Sequence, residues 1–393
     1  ASTLISHNSS RVAKKLWSSG QKGEMVKLNC YQTGREEAQG ISDIIENKLK
    51  KKYSLNDVSI LVRAIYQTRE FEERFLKVGI GYRVLGGTKF YERAEIKDAV
   101  SYLRIINQKY DDLALERVIG NPRRGVGEST LNQIYTYGSK NKLCLEDSIR
   151  KNLEVENLKP KIKTSLSQLM KLIDKWRFDS KSSKHYDLLK VVLDESGYSE
   201  MLKNKKDIEN ENRIENIKEL LRAMHDYDNL QGFLEHVALA TSIDKDWEGE
   251  KINLMTMHAA KGLEFDAIFL PGWEEGLFPH QKSLEEKGDF ALEEERRLAY
   301  VGITRAKKEA YLSFAMKRSY HGDWMDALPS RFINEIPEGC VEKNSNEFNE
   351  KLRDDFEFNQ DLGIDMPDLD LENEYRSPGY ERFKKNKLLK WKK

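Results

Sequence analysis

Between residues 25 and 85 the sequence reads MVKLNCY (25–31), VSILV (58–62) and YRVL (82–85), three strand-like segments that two helical segments separate. The helical segments cover residues 36–51 and 70–78, where apolar side chains recur at helical spacing. The run VSILV is apolar almost throughout, which is typical of a parallel strand buried on both faces. This alternating order predicts an α/β fold, with a parallel sheet and helices packed on it.

The chain changes character after residue 91, where strand signals give way to helical ones. Strands return at residues 252–257, 267–270 and 310–314, with a helix predicted over residues 292–305. We therefore expect one α/β domain interrupted by an all-helical domain and followed by a charged tail whose composition predicts disorder. The expected boundaries are 1–91 and 250–341 for the α/β domain, 92–249 for the helical domain and 342–393 for the tail. Helical segments in the insertion are predicted at residues 96–103, 113–119, 158–176, 186–193 and 214–230.

Composition limits the classes of function. Acidic and basic residues balance at 66 each, so a nucleic-acid partner requires locally concentrated basic residues. The three cysteines, Cys30, Cys144 and Cys340, are too far apart in sequence for a cysteine-rich metal site or a disulfide framework. Together with the absence of a signal pattern or a long apolar run, they predict a cytoplasmic protein.

The segment TMHAAKGLEF (256–265) follows a predicted strand. Thr256 and His258 then fall at the carboxyl edge of the sheet, where open α/β sheets bind their ligands. Hydroxyl and imidazole groups can bind phosphate oxygens without reading a base sequence. The alternative is that His258 caps a loop and Lys261 is merely solvated.

The segment EEERRLAYVGITRA (293–306) predicts a helix with Leu298, Val301, Gly302 and Arg305 on one inward face. A guanidinium there needs an anionic partner. A nucleotide γ-phosphate would supply one, and an ion pair with Glu264 is the alternative.

These two segments resemble the fifth and sixth conserved motifs of the UvrD-like superfamily 1 DNA helicases, and the similarity covers about residues 8–340. Upstream, residues 58–69 resemble the first strand-and-arginine element of that family's second motor domain. Residues 82–98 resemble the junction into its inserted subdomain. The resemblance implies the C-terminal half of such a helicase, with a RecA-like second motor domain and a helical insertion.

The resemblance also implies residue roles. Thr256 and His258 would contact single-stranded DNA, with Arg63 a weaker candidate for the same strand. Glu264 would line the ribose side of ATP, and Arg305 would be the arginine finger on its γ-phosphate. In the insertion, a glycine-containing turn with Arg123, Arg124, Gly125 and Gly127 would contact duplex DNA. Glycines and a following helix N-terminus suit a phosphate, although an ordinary helix–helix turn has the same pattern.

No G-x-x-x-x-G-K-[ST] phosphate loop occurs in the sequence. In the family, ATP and Mg²⁺ are held by an N-terminal motor half, which we expect as the partner of this chain. The intact relative couples ATP hydrolysis to 3′-to-5′ movement on single-stranded DNA and unwinds 3′-tailed duplexes in DNA repair or replication. We expect this chain to be either an expressed piece or the product of a split or decayed gene, with little ATPase activity alone.

Two other readings stay open at this point. The chain could be a non-catalytic DNA-binding or regulatory protein that never turns over ATP. A helicase-nuclease of the RecB type is a weaker alternative, because the acidic stretch at residues 354–374 has no apolar strands to hold metal ligands.

Overall fold

The computed structural model describes residues 1–8, 23–154, 158–204, 208–242, 249–320 and 323–344. The chain divides into two units, Ala1–Thr88 with Glu248–Lys393, and Lys89–Trp247. The acidic stretch at 354–374 and the basic end at 384–393 lie outside the described residues.

The first unit is built on an eight-stranded sheet in which every strand pairing except one is parallel. The order is β3-β4-β2-β5-β6-β1-β8, and β7 pairs antiparallel with β6. The strands are β1 (Val26–Thr33), β2 (Val58–Val62), β3 (Tyr82–Val84), β4 (Ile252–Thr256), β5 (Phe265–Leu270), β6 (Ala306–Tyr320), β7 (Asp323–Asp326) and β8 (Val341–Asn344). The predicted α/β class with a parallel sheet is confirmed, and β7 and β8 are additions that the sequence did not indicate.

Helices cover both faces of this sheet. They are α1 (Ser2–Ile5), α2 (Gly34–Ile44), α3 (Thr68–Val78), α13 (Gln281–Ile303) and α14 (Arg331–Asn334), with a π-helical turn at Ile45–Leu49 and 3₁₀ turns at Leu55–Asp57, Ile65–Gln67 and Glu338–Cys340. Leu61, Met255 and Ile268 belong to one buried cluster, which includes Leu298 of α13. Ile60 and Phe269 belong to the other, beneath α2 and α3. Burial on both faces explains why VSILV is apolar nearly throughout.

The second unit contains only helices among its described residues. They are α4 (Ala94–Asn107), α5 (Asp112–Gly120), α6 (Glu128–Asn141), α7 (Leu145–Glu154), α8 (Pro160–Asp179), α9 (His185–Glu195), α10 (Tyr198–Lys203), α11 (Ile208–Met224) and α12 (Leu230–Ser242), after a 3₁₀ turn at Phe90–Glu92. In its core, Tyr102 of α4 packs edge-on against Trp176 of α8, with 5.9 Å between ring centroids. The all-helical character expected of the insertion is confirmed for the described part.

One predicted helix of this unit is wrong in its extent. The segment 214–230 spans the end of α11 and the first residue of α12, because the polar run 225–229 ends one helix and starts the next. Asn229 accepts a hydrogen bond from the backbone N–H of Gly232 at 2.9 Å, a side-chain contact typical of helix starts. Within the described chain, no helix combines the length and the apolarity that crossing a membrane requires.

Candidate nucleic-acid and nucleotide interface

Thr256, His258 and Arg63 lie together at the carboxyl edge of the sheet. Thr256 is the last residue of β4 and is in register with Val62, the last residue of β2. Arg63 follows Val62 directly, and His258 lies exposed two residues beyond Thr256. The Thr256 hydroxyl accepts a hydrogen bond from the Ala259 N–H at 3.2 Å, which closes the turn after β4.

The Arg63 guanidinium is held by a carboxylate that the sequence did not reveal. Its Nε lies 2.9 and 3.1 Å from the two carboxylate oxygens of Glu295, and its Nη2 donates to Glu295 Oε1 at 2.6 Å. Glu295 is buried on α13 and also accepts the His280 N–H at 3.1 Å. Helical spacing was the one sequence signal that could have placed Glu295 on the buried face of α13. It lies three residues before Leu298 and four before Ala299, which are both buried.

The electrostatics of this group favour a neutral imidazole. Desolvation by the surrounding protein lowers the pKa of His258, the Arg63 guanidinium lowers it further, and Glu295 opposes both. The direction of this shift favours the uncharged ring, which can both donate and accept a hydrogen bond. The edge offers a hydroxyl, an imidazole and an arginine whose charge Glu295 balances.

A second cluster at this edge joins the ends of three strands. Glu37 of α2 accepts the Gly272 N–H at 3.0 Å and the Ser313 hydroxyl at 2.6 Å. Arg318 binds both Glu37 and Glu274, with its Nη2 at 2.7 Å from Glu274 Oε1. Burial raises the pKa of Glu274, and Arg318 opposes that shift. These long-range contacts stabilise the carboxyl edge of the sheet. They could not be predicted from the sequence, because the partners are far apart in the chain.

Glu264 and Arg305 lie at the opposite edge of the same sheet. Residues 257–264 carry the chain from the carboxyl end of β4 to the amino end of β5, since both strands run parallel to β2. Glu264 is exposed just before β5, and Arg305 directly precedes β6. The structure therefore separates the predicted nucleotide-binding residues from Thr256 and His258.

Arg305 is not on the helix that the sequence predicted for it. The α13 helix ends at Ile303, Thr304 is its C-cap, and the strand starts at Ala306, so the predicted helical stripe through Arg305 is wrong. The Arg305 guanidinium donates to the carbonyls of Val301 (3.0 Å) and Leu263 (2.9 Å) and to the Thr304 hydroxyl (3.1 Å). Among the described residues it has no carboxylate within ion-pair distance, so the alternative pair with Glu264 does not form.

The predicted glycine-containing turn lies between α5 and α6 in the second unit. Arg123 is exposed, whereas the Arg124 guanidinium points inward to backbone carbonyls. Gly125 has a φ of 75°, and Gly127 is the N-cap of α6 without a side-chain cap. The described residues contain no group of three or more candidate metal ligands, so no residue is assigned to Mg²⁺.

Comparison with known proteins identifies the family. The family described as "UvrD-like helicase C-terminal domain" matches residues 1–317. A probable DNA helicase II homolog of Rickettsia felis is 42% identical over 348 residues, which cover 88% of this chain and 53% of the relative. DNA helicase II of Escherichia coli strain K12 is 39% identical (87% of this chain, 49% of the relative), and the ATP-dependent DNA helicase PcrA of Staphylococcus aureus is 36% identical (88% and 48%). The chain spans about half the length of the curated relatives it matches. Sequence motifs, fold and relatives agree, and the chain belongs to the UvrD-like helicase family, whose C-terminal domain it contains.

Proposed function

We propose that this chain is the C-terminal motor half of an ATP-dependent DNA helicase that moves 3′ to 5′ on single-stranded DNA. In this proposal Thr256 and His258 bind the DNA backbone, and Arg305 reaches ATP held by a separate P-loop motor half. The membership of the family supports the helicase activity. Thr256 and His258 lie at one edge of the sheet and Arg305 at the other, which supports separate sites for DNA and for ATP.

The observation that carries the DNA proposal is the carboxyl edge with Thr256, His258 and Arg63. Hydroxyl and neutral imidazole groups bind phosphate oxygens of any sequence, as a translocating motor requires. Because Glu295 already balances the charge of Arg63, this edge would bind the strand mainly through the uncharged hydroxyl and imidazole groups of Thr256 and His258.

The nucleotide proposal depends on Arg305 and Glu264 at the opposite edge. All three acceptors of the Arg305 guanidinium are neutral, so exchanging one of them for a phosphate oxygen breaks no ion pair. ATP with Mg²⁺, when bound to the P-loop half, supplies the phosphoryl group whose transfer drives movement. Arg305 would stabilise the negative charge that develops on that group, and the exposed Glu264 would face the ribose.

The duplex proposal assigns the turn between α5 and α6 to the DNA ahead of the single strand. Arg123 is exposed there, and the helix that follows starts without a side-chain cap. Free backbone N–H groups at a helix start attract phosphates. A 3′-tailed duplex would therefore engage both units.

The DNA proposal is tested by fluorescence anisotropy of a labelled single strand across a salt series. We expect salt-sensitive binding by the 393-residue chain and at least about tenfold weaker binding by Thr256→Ala/His258→Ala, which loses hydrogen bonds to charged oxygens. The slope of log Kd against log salt stays unchanged, because neither side chain carries charge.

The matched control is Thr164→Ala/His225→Ala, which removes an exposed threonine and an exposed histidine from the second unit. It should bind as the unmodified chain does. Equal affinity of the Thr256/His258 variant, or no binding at low salt, would refute the proposed strand-binding edge.

A further inference from the structure

The Arg124 side chain supports the turn between α5 and α6 from inside. Its Nη1 donates to the carbonyls of Val118 and, at 2.9 Å, Pro122. Its Nη2 donates to the Tyr102 hydroxyl at 3.1 Å and to the Ser196 carbonyl at 3.4 Å. A guanidinium engaged by four oxygens of its own unit is poorly available to an external phosphate.

A second layer of hydrogen bonds lies beneath Arg124. The buried Tyr102 donates its hydroxyl proton to the Asn121 carbonyl at 2.7 Å, so one hydroxyl connects both sides of the turn. The buried Asp98 accepts from Arg117 at 2.6 Å and from the Tyr198 hydroxyl at 2.8 Å. Its Oδ1 also lies 3.3 Å from Asn121 Nδ2. Since α4 carries Asp98 and Tyr102, the turn is fixed to the central helix of its unit.

The outer surface of the turn has the opposite character. Gly125 needs to be glycine because its φ is 75°. Gly127 has an ordinary φ of −88°, and a Cβ built there meets nothing within 4 Å. Glycine is a favoured N-cap residue, and the open space around Gly127 also leaves room for the close approach of an external backbone. Arg123 is exposed and has no partner among the described residues.

From these contacts we propose that Arg124, with Tyr102 and Asp98, is a positioning residue for duplex DNA, and that Arg123 and the turn's backbone amides make the phosphate contacts. This inference depends on the duplex binding proposed above. The inner network holds the amides of residues 125–129 in one arrangement, so that binding does not have to order them first. The two adjacent arginines then differ in role, one as a ligand for phosphate and the other as an internal brace.

The test compares four variants of the full chain: Arg123→Met, Arg124→Met, Tyr102→Phe and the control Tyr186→Phe. Tyr102→Phe removes one hydroxyl and keeps the ring that packs on Trp176. Tyr186 is stacked on His225 with 3.7 Å between centroids and takes no part in the Arg124 network. Two quantities are measured: hydrogen exchange of the amides in residues 120–129, and the salt dependence of binding to a blunt duplex and to a single strand.

We expect Arg124→Met and Tyr102→Phe to raise exchange in the turn at least about tenfold, and Arg123→Met and Tyr186→Phe to leave it unchanged. Arg123→Met should lower the salt slope for duplex by about 0.9, as expected for one lost phosphate contact. Tyr102→Phe should weaken duplex binding several-fold without changing the slope, and single-strand affinity should not change.

Two results would overturn the inference. Arg124→Met could lower the slope by about 0.9 with unchanged exchange, which is the behaviour of a direct phosphate ligand. Alternatively, Tyr102→Phe could leave both exchange and duplex affinity as they are. If the unmodified chain binds no duplex, the proposed duplex function fails, while the exchange data still decide whether Arg124 braces the turn.

Discussion

Glu309 of β6 shows how one buried side chain can depend on several long-range partners. Its carboxylate accepts from Lys27 at 2.7 Å, from Lys52 at 2.5 Å, from Tyr53 at 2.9 Å and from Tyr311 at 2.6 Å. Burial alone would raise the pKa of Glu309, but the four donors outweigh it and lower the pKa to about 2. The charged form is thus the one that the fold stabilises.

The acid stability of the chain should depend on Glu309. Its pKa in the folded state is below the ordinary value of 4.5, so its contribution is complete above about pH 4.5 and is lost as pH falls toward 2. We expect Glu309→Gln to lower the free energy of unfolding by ~2–3 kcal/mol at pH 7, and by clearly less at pH 3. Urea unfolding at both pH values measures this difference.

The control for this experiment is Glu294→Gln, because Glu294 is exposed on α13 and, within the described residues, pairs only with Arg297 at the surface. It should change the unfolding free energy by less than about 0.5 kcal/mol. If Glu309→Gln lowers the free energy of unfolding by the same amount at both pH values, the low pKa of Glu309 is contradicted.

Single residues also mark the limit of sequence-based prediction in the site. Thr256 and His258 could be assigned to a strand end because the apolar run of β4 stops beside them. The partner of Arg63 could not, since Glu295 is 232 residues away in sequence. The same holds for Arg124, whose inward direction depends on Tyr102 and Ser196, which only the folded unit brings near it.

At the scale of elements, α13 packs on the sheet through a glycine. A Cβ at Gly302 would lie 2.9 Å from Leu270 Cδ2 and 2.9 Å from Met257 Sδ. The sequence predicted this helix over residues 292–305, but it starts at Gln281. The first turns were missed because Gly288, with φ 53° and ψ −130°, interrupts the helix and its apolar period.

Substitution of Gly302 should destabilise the chain despite the higher helix propensity of alanine. We expect Gly302→Ala to lower the free energy of unfolding by ~1–3 kcal/mol, because Leu270 and Met257 must move. The matched control is Gly232→Ala in α12, where the nearest atom to a Cβ is 3.6 Å away. That change should stabilise the chain by up to about 1 kcal/mol. Thermal unfolding that ranks the two variants in the reverse order would contradict this packing.

For the whole molecule, the sequence was sufficient to predict an α/β unit interrupted by helices, because the two periodicities differ over long stretches. The details of the insertion were harder. The amphipathic α7 and the short α10 were not predicted as helices, since polar residues at the ends of short helices resemble those in loops. Strand order could not be read from the sequence either, because it depends on pairings between residues far apart.

ATP hydrolysis should require more than this chain. The chain alone should hydrolyse little ATP, and addition of a separately purified P-loop motor domain from a UvrD-like helicase should raise DNA-stimulated hydrolysis. Arg305→Ala should then lower the restored kcat by about 10³-fold, the order expected for an arginine finger, with single-strand affinity unchanged.

Arg297→Ala provides the control, because Arg297 is a surface arginine on α13, the helix that ends two residues before Arg305, and it is paired with Glu293 and Glu294. It should retain the restored rate. Vigorous Mg²⁺-dependent hydrolysis by the chain alone, or full activity of Arg305→Ala, would contradict the assigned role of Arg305.

The strand order has a consequence for synthesis of the protein on the ribosome. The first three strands, β1, β2 and β3, have no pairing with one another; their neighbours β4, β5, β6 and β8 all follow the helical unit. The first partner strand of VSILV starts at Ile252, 190 residues after Val62, so at roughly 5–20 residues per second VSILV waits about 10–40 s for it. During that interval we expect the nascent chain to expose an apolar segment with unpaired backbone groups, which favours aggregation over folding.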